Sequence, residues 1–181
     1  MNPYCTEINF SIHPLKDNID PLLLPKVPHQ LLDVDKFLNP EISNLLISHG
    51  VHIGLIEAFM QWQYPWKSFI HIDDKGTDIS KLNWVFGGAD SSVKWYQIKA
   101  HATHNPATTI ANTGTMRFDP QDVEKILHTH PAGIKPFIFQ AGIPHQACAG
   151  LEPRCCISMI PCWIKNNKRL SYAELVNILA C

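Results

Sequence analysis

With 181 residues, 45% of them hydrophobic and 17% charged, the chain has apolar material for a sizeable core and is not a disordered polymer. Its 15 basic and 16 acidic residues leave a formal net charge of −1, so no global field draws in nucleic acid or an anionic membrane. No apolar run approaches the roughly 20 residues of a membrane helix, and the N-terminus lacks a basic segment followed by an apolar one. The expectation is a cytoplasmic protein with no membrane or nucleic-acid partner, forming one domain over residues 1–181.

Residues 1–30 carry Pro3, Pro14, Pro21, Pro25 and Pro28, which predicts an extended arm without regular structure. Ile12, Leu15, Leu22, Leu23 and Leu24 should pack that arm down. Asn39 followed by Pro40 predicts a helix start, Gly50 its stop, and Ile42, Leu45, Leu46 and His49 lie along one face. Strands are predicted at 51–62, 68–73, 81–87, 91–99, 135–140 and 154–160, each rich in β-branched or aromatic residues and bounded by Gly, Asp, Asn or Pro. The polar stretch KAHATHNPATT (99–109), with His101 and His104, reads as a solvated loop, and a short helical turn follows Asp119-Pro120. At the C-terminus SYAELVNILA reads as a helix, with Ser171 and Glu174 as its capping box and Tyr172, Leu175, Val176 and Leu179 as its apolar stripe. Helices at the ends and strands through the middle predict a mainly β fold, an antiparallel sandwich or jelly roll with flanking helices.

The candidate chemistry starts at 68–73, SFIHID, where a period of two puts Phe69, His71 and Asp73 on one face and Ile70 and Ile72 on the other. An isolated H-x-D is weak, since this composition yields about one by chance, and the competing reading is a strand end opening a polar Asp-Asp-Lys-Gly turn. His145 follows an apolar strand and is flanked by Gly142 and Pro144, so the chain turns there and the ring can point into a cavity. Two imidazoles and a carboxylate can cap one face of iron(II) and leave the other open. Arg154 opens the next strand on a face shared with Cys156, Ser158 and Ile160, opposite Cys155, Ile157 and Met159. A charge on an otherwise apolar strand needs an anionic partner. Either Glu152 or the carboxylate of a bound acid can serve.

Other groupings compete. His128-Thr129-His130 is a metal-competent pair, but no glutamate follows at cupin spacing and Pro131 interrupts the strand. The six cysteines, at 5, 148, 155, 156, 162 and 181, form no C-x-x-C pair, and Cys155 and Cys156 point to opposite faces, which argues for reduced thiols rather than disulfides or a zinc cluster. Asn83 is a candidate to hydrogen-bond a ligand or a neighbouring strand. Trp84, Trp95 and Tyr96 are candidates for a substrate pocket, with core packing as the competing role.

The stretch PHQACAGLEPRCCIS (144–158) resembles the C-terminal core motif of the 2-oxoglutarate/iron(II)-dependent oxygenases, nearest to the aspartyl/asparaginyl β-hydroxylase and prolyl-hydroxylase-like branches. FIHIDD (69–74) resembles the upstream H-x-D element of that superfamily, and LNWVFGG and VKWYQ resemble the strands that follow it. The resemblance implies a double-stranded β-helix, with His71, Asp73 and His145 as iron(II) ligands and Arg154 as the anchor for the tail carboxylate of 2-oxoglutarate. It implies a dioxygenase that hydroxylates a substrate the residues do not name, with succinate and CO2 as co-products. Where many members carry serine or threonine two residues after the arginine, this chain has Cys156, so Ser158 is the candidate for the second carboxylate contact. The alternatives are a non-catalytic jelly-roll or cupin-like module for a small ligand, and a cupin-type metalloenzyme.

Overall fold

The short β-rich segments pair into two facing sheets in the computed structural model of the chain, which describes residues 2–62, 66–73, 78–110, 114–131, 133 and 135–180. The strands are β1 (Cys5–Glu7), β2 (His29–Leu32), β3 (Val51–Gln61), β4 (Trp66–Lys67), β5 (Ile70–Asp73), β6 (Ser80–Gly87), β7 (Ser92–Ile98), β8 (Asn105–Thr108), β9 (Gly114–Phe118), β10 (Val123–Pro131), β11 (Phe137–Gln140), β12 (His145–Ala149) and β13 (Arg154–Trp163). One sheet has the order β1-β11-β6-β13-β3-β2; the other has β10-β7-β12-β5-β9-β8, with β4 paired to β12.

Eight of these strands pair as a nest. β3 pairs with β13, β5 with β12, β6 with β11 and β7 with β10, all antiparallel. Between β3 and β13 the nested strands alternate between the sheets except at the innermost β7–β10 pair. That arrangement is a double-stranded β-helix, the jelly roll.

The strand β13 shows how the sequence positions a site. Its odd-numbered residues Cys155, Ile157 and Met159 are fully buried in the main apolar core. That core also takes Ile56, Ala58, Leu82, Trp84 and Ile138 from neighbouring strands, and Leu15, Ile42, Leu46, Leu175 and Val176 from the arm and helices. Arg154, Cys156 and Ser158 point the other way, into the space between the sheets, where they line a cavity. Removal of so much apolar surface on the helix side, at about 1.5–3 kcal/mol for each fully buried large aliphatic or aromatic side chain, lets the opposite face carry polar groups.

The helices are α1 (Val34–Phe37), α2 (Pro40–Ser48) and α3 (Tyr172–Leu179). Asn39 caps α2 by accepting from the Glu41 N–H at 2.9 Å, and Gly50, at φ 72°, ends it as predicted. Ser171 and Glu174 close the predicted capping box on α3. Among the described residues no helix is long and apolar enough to cross a membrane.

Several expectations are corrected. The arm is not devoid of regular structure: β1 and β2 lie at the two edges of the six-stranded sheet, with short 3-10 turns between them, and Leu23 is exposed. The 99–109 stretch contributes β8, which pairs with β9 and extends the other sheet beside β5, although His101 and His104 are exposed as predicted. Pro131 does not interrupt β10 but ends it, and His145 begins a strand of its own. Phe69 lies outside β5, 63% exposed, with the Arg117 guanidinium over its ring at 4.3 Å. The predicted polar turn after Asp73 falls on residues 74–77, outside those described. No disulfide joins the described cysteines.

Candidate metal centre

His145 on β12 lies directly opposite His71 on β5, so the two rings share the inner face of their sheet, with centroids 4.3 Å apart. Asp73 follows two residues after His71 and so points the same way. One ligand atom from each of His71, Asp73 and His145 lies within 4.8 Å of the other two. The ring orientations suit a cation. His71 Nδ1 lies 2.8 Å from the Phe69 carbonyl oxygen, and His145 Nδ1 lies 2.8 Å from that of Ile143. A carbonyl only accepts, so each Nδ1 carries the proton and donates it, which leaves both Nε2 atoms as lone-pair donors. Burial, reinforced by the neighbouring His71, pushes His145 down to about 3 and keeps its ring neutral.

Among the described residues the Asp73 carboxylate is held through one oxygen. Its Oδ2 accepts from Lys81 Nζ at 2.8 Å, while Oδ1 lies 3.6 Å from His71 Nε2, beyond hydrogen-bond range. Burial alone would raise its pKa, yet the Lys81 ammonium, helped by His145 and His71, holds it well below the usual carboxylate range. Lys81 also contacts Glu57 Oε2 at 3.0 Å, and Glu57 Oε1 lies 3.0 Å from His29 Nε2. Burial opposes the charge on Lys81, and its two carboxylates outweigh that and raise its pKa. Glu57 is likewise lowered against the pull of burial, by Lys81 and His29. The row His29–Glu57–Lys81–Asp73 thus crosses the cavity wall with each member in polar contact with the next.

Arg154 has no such partner. It is 3% exposed and lines the same cavity, of about 180 Å³, together with His71, Asp73 and His145. Glu152, the partner weighed from the sequence, instead accepts from the Ala89 N–H at 3.3 Å. Among the described residues no carboxylate pairs with Arg154, and its Nε is buried without a hydrogen bond. Ser158 Oγ and Asn83 Oδ1, which line the cavity too, are also buried and unsatisfied, as is Oε1 of Gln61, opposite Arg154 in register. The space for the arginine stem is made by Gly88, at φ 59°, where a Cβ would come within 2.9 Å of Arg154 Cβ.

Trp84, Trp95 and Tyr96 do not line the cavity, which corrects the substrate-pocket expectation. Trp84 alternates with Lys81 and Asn83 along β6 and so enters the core beside Phe10. Trp95 is fully buried, donates from Nε1 to the Gln140 carbonyl at 3.0 Å and packs on Phe139. Phe139 in turn meets His145 edge-on and is the aromatic that faces the cavity, with Phe59. Tyr96, on the other face of β7 from Trp95, is buried away from the cavity and donates to Gln146 Oε1 at 2.9 Å. The sequence reading also missed Lys81, Glu57 and His29. A lone glutamate in VHIGLIEAFMQW carries the same signal as Arg154, a charge on an apolar strand that needs a partner.

Fold and site together define a jelly-roll protein with a candidate His-Asp-His metal centre between its sheets. No family model matches the chain, and no curated protein does. Among solved structures it is similar to the coconut allergen cocosin, with 11% sequence identity and a TM-score of 0.35 over 82% of this chain and 32% of that one. The chain therefore spans about a third of the length of that neighbour.

Proposed function

We propose that the protein is an iron(II)- and 2-oxoglutarate-dependent dioxygenase that hydroxylates a C–H bond and releases succinate and CO2. The observation that carries this reading is Arg154: a buried guanidinium with no carboxylate among the described residues, in one cavity with a convergent His-Asp-His set. An isolated buried charge is costly, and the other ionisable groups of that wall each have a polar partner: Lys81 lies between Asp73 and Glu57, and His29 lies against Glu57. A dicarboxylate cosubstrate supplies the missing anion.

The residues fit the group. Two neutral imidazoles and one carboxylate suit iron(II) and leave positions open. Iron with a bound 2-oxo acid supplies oxygen activation coupled to decarboxylation. The chain does the rest. His71 and His145 are held as Nε2 donors by backbone carbonyls. Lys81 occupies one Asp73 oxygen and leaves Oδ1 for the metal. Arg154 pairs with the far carboxylate through its planar fork, and Ser158 and Asn83 offer further hydrogen bonds to the same ligand. Phe59, Val93, Phe139 and Ala147 give the cavity an apolar remainder that limits water.

The test is anaerobic addition of iron(II) and 2-oxoglutarate to the apoprotein. A visible metal-to-ligand charge-transfer band, followed by succinate once oxygen is admitted, is the expected result. Metal binding with neither band nor succinate would instead place the protein among cupin-type metalloenzymes or small-ligand-binding jelly rolls.

A further inference from the structure

A second group of ligand atoms lies at the far edge of the sandwich. Cys5 stands on β1, at the edge of the six-stranded sheet, and His128 and His130 stand on β10, at the edge of the seven-stranded one. One ligand atom from each lies within 4.8 Å of the other two. Cys5 Sγ and His128 Nε2 are 3.5 Å apart. A tetrahedral zinc with bonds of about 2.3 Å to sulfur and about 2.0 Å to nitrogen spaces those two ligands by about 3.5 Å. Along a strand His128 and His130 share a face, so the pair recognised in the sequence lacked only its third member, and β1 brings it from 123 positions away in the chain.

The side chains are held in place before any ion arrives. His128 stacks on Tyr4 with ring centroids 5.5 Å apart and planes 12° from parallel, and its other neighbour is Trp95 at 5.6 Å. His130 packs on Phe137 at 4.7 Å. Asn2 Nδ2 sits 3.2 Å from His128 Nε2, which marks that nitrogen as the acceptor, with its lone pair directed toward Asn2 and Cys5. Cys5 and His130 are 4% and 7% exposed, while the cleft they line with Asn2, Thr6 and Glu7 is open to an entering ion.

We propose that Cys5, His128 and His130 form a zinc site that clasps the N-terminal strand to the opposite sheet. A thiolate with two imidazoles is a borderline-soft donor set, which selects zinc over the hard ions magnesium and calcium. The fourth position is left to water. The clasp ties β1, whose strand is only three residues long and paired to one neighbour, across the edge of the sandwich. It is independent of the iron(II) reading: the two sites share no residue, and the His71–Asp73–His145 set contains no thiolate.

Cobalt(II) titration of the full chain tests it, because a thiolate–cobalt charge-transfer band reports sulfur ligation. Cys156, which lines the other cavity, is the control. One equivalent of cobalt should give the band in the wild type and in Cys156→Ser, zinc should bleach it, and Cys5→Ser, His128→Gln and His130→Asn should each lose it. Zinc should also raise the melting temperature of the wild type by more than that of Cys5→Ser, which keeps the His71–Asp73–His145 set, and the two shifts should become equal only if Cys5 is no ligand. Absence of the band in the wild type, or its persistence in Cys5→Ser, overturns the proposal. If one variant fails to fold, the other two and the wild-type zinc response decide it.

Discussion

The two faces of β13 are equally dry and chemically opposite. Cys155, Ile157 and Met159 meet the helices and the arm and are complete as they stand; Arg154, Cys156 and Ser158 meet the cavity, and two of those three carry buried polar atoms without partners. One strand, with one period of two, therefore separates residues that hold the fold together from residues that bring unpartnered polar atoms to a cavity. Burial by itself does not tell a core from a site. Nor does one unanswered polar atom, since Trp84 Nε1 in the core is unsatisfied too; what marks the cavity face is that Arg154, Ser158 and Asn83 bring several such atoms to one space.

That contrast can be broken at several places, and the largest effect belongs to Lys81. Lys81→Met leaves Asp73 and Glu57 facing each other's surroundings without their shared cation, which should cost about 3–5 kcal/mol in denaturant unfolding. A loss below about 1 kcal/mol would mean the charged row is not coupled as the distances imply. Next comes the core side: Ile157→Ala removes a fully buried side chain and should cost about 2–5 kcal/mol while leaving ligand affinity in the residual folded protein unchanged.

A smaller effect comes from pH. In the metal-free protein the folded His145 resists protonation down to about 3, whereas an unfolded histidine takes up a proton near its ordinary 6.5. Between those values the unfolded state binds more protons. Stability is therefore full above about 6.5 and falls as the pH drops, by at most about 1.4 kcal/mol per pH unit from this group. The depressed carboxyl of Asp73 adds a loss of the same sign once the pH passes below its ordinary 3.8. Urea midpoints measured with chelator at several pH values should show this slope, and His145→Gln should flatten it between about 6 and 4. An unchanged slope in that variant would show that another group is responsible.

The fold was legible wherever a strand carried its own pattern. The strands β3, β5, β6, β7, β11 and β13, the Asn39-Pro40 helix start and the Ser171 capping box are local features, and all stand where the sequence puts them. The strands β1, β2, β8, β9, β10 and β12 were not: β1 and β2 are three- and four-residue edge strands defined by the distant neighbour each pairs with, β8 and β12 lie in stretches read as loop or turn, and β9 and β10 lie where no strand is predicted. Much of the candidate centre was readable for the same local reason: alternation put His71 with Asp73, and a charge on an apolar strand drew attention to Arg154. Glu57 and Lys81 carried that signal too. Their mutual pairing, and the pairing of Lys81 with Asp73, depends on β3, β5 and β6 meeting at one level of the sandwich, which no periodicity reveals. The aromatic residues failed as pocket candidates because size and ring chemistry do not encode facing; Trp84 lies one residue from Asn83 and on the opposite side of the sheet.

Arg154 is where the claim is most exposed. Calorimetric titration of 2-oxoglutarate into the manganese(II)-loaded protein, wild type beside Arg154→Met, measures the cavity side of β13 directly. Binding should be strong in the wild type and lost in Arg154→Met. Manganese affinity should be kept, and stability should stay within about 1 kcal/mol of the wild type or rise, since the variant removes an unpaired buried charge. Equal binding of 2-oxoglutarate by both proteins, or a destabilisation as large as that of Ile157→Ala, would make Arg154 a structural residue and contradict the account.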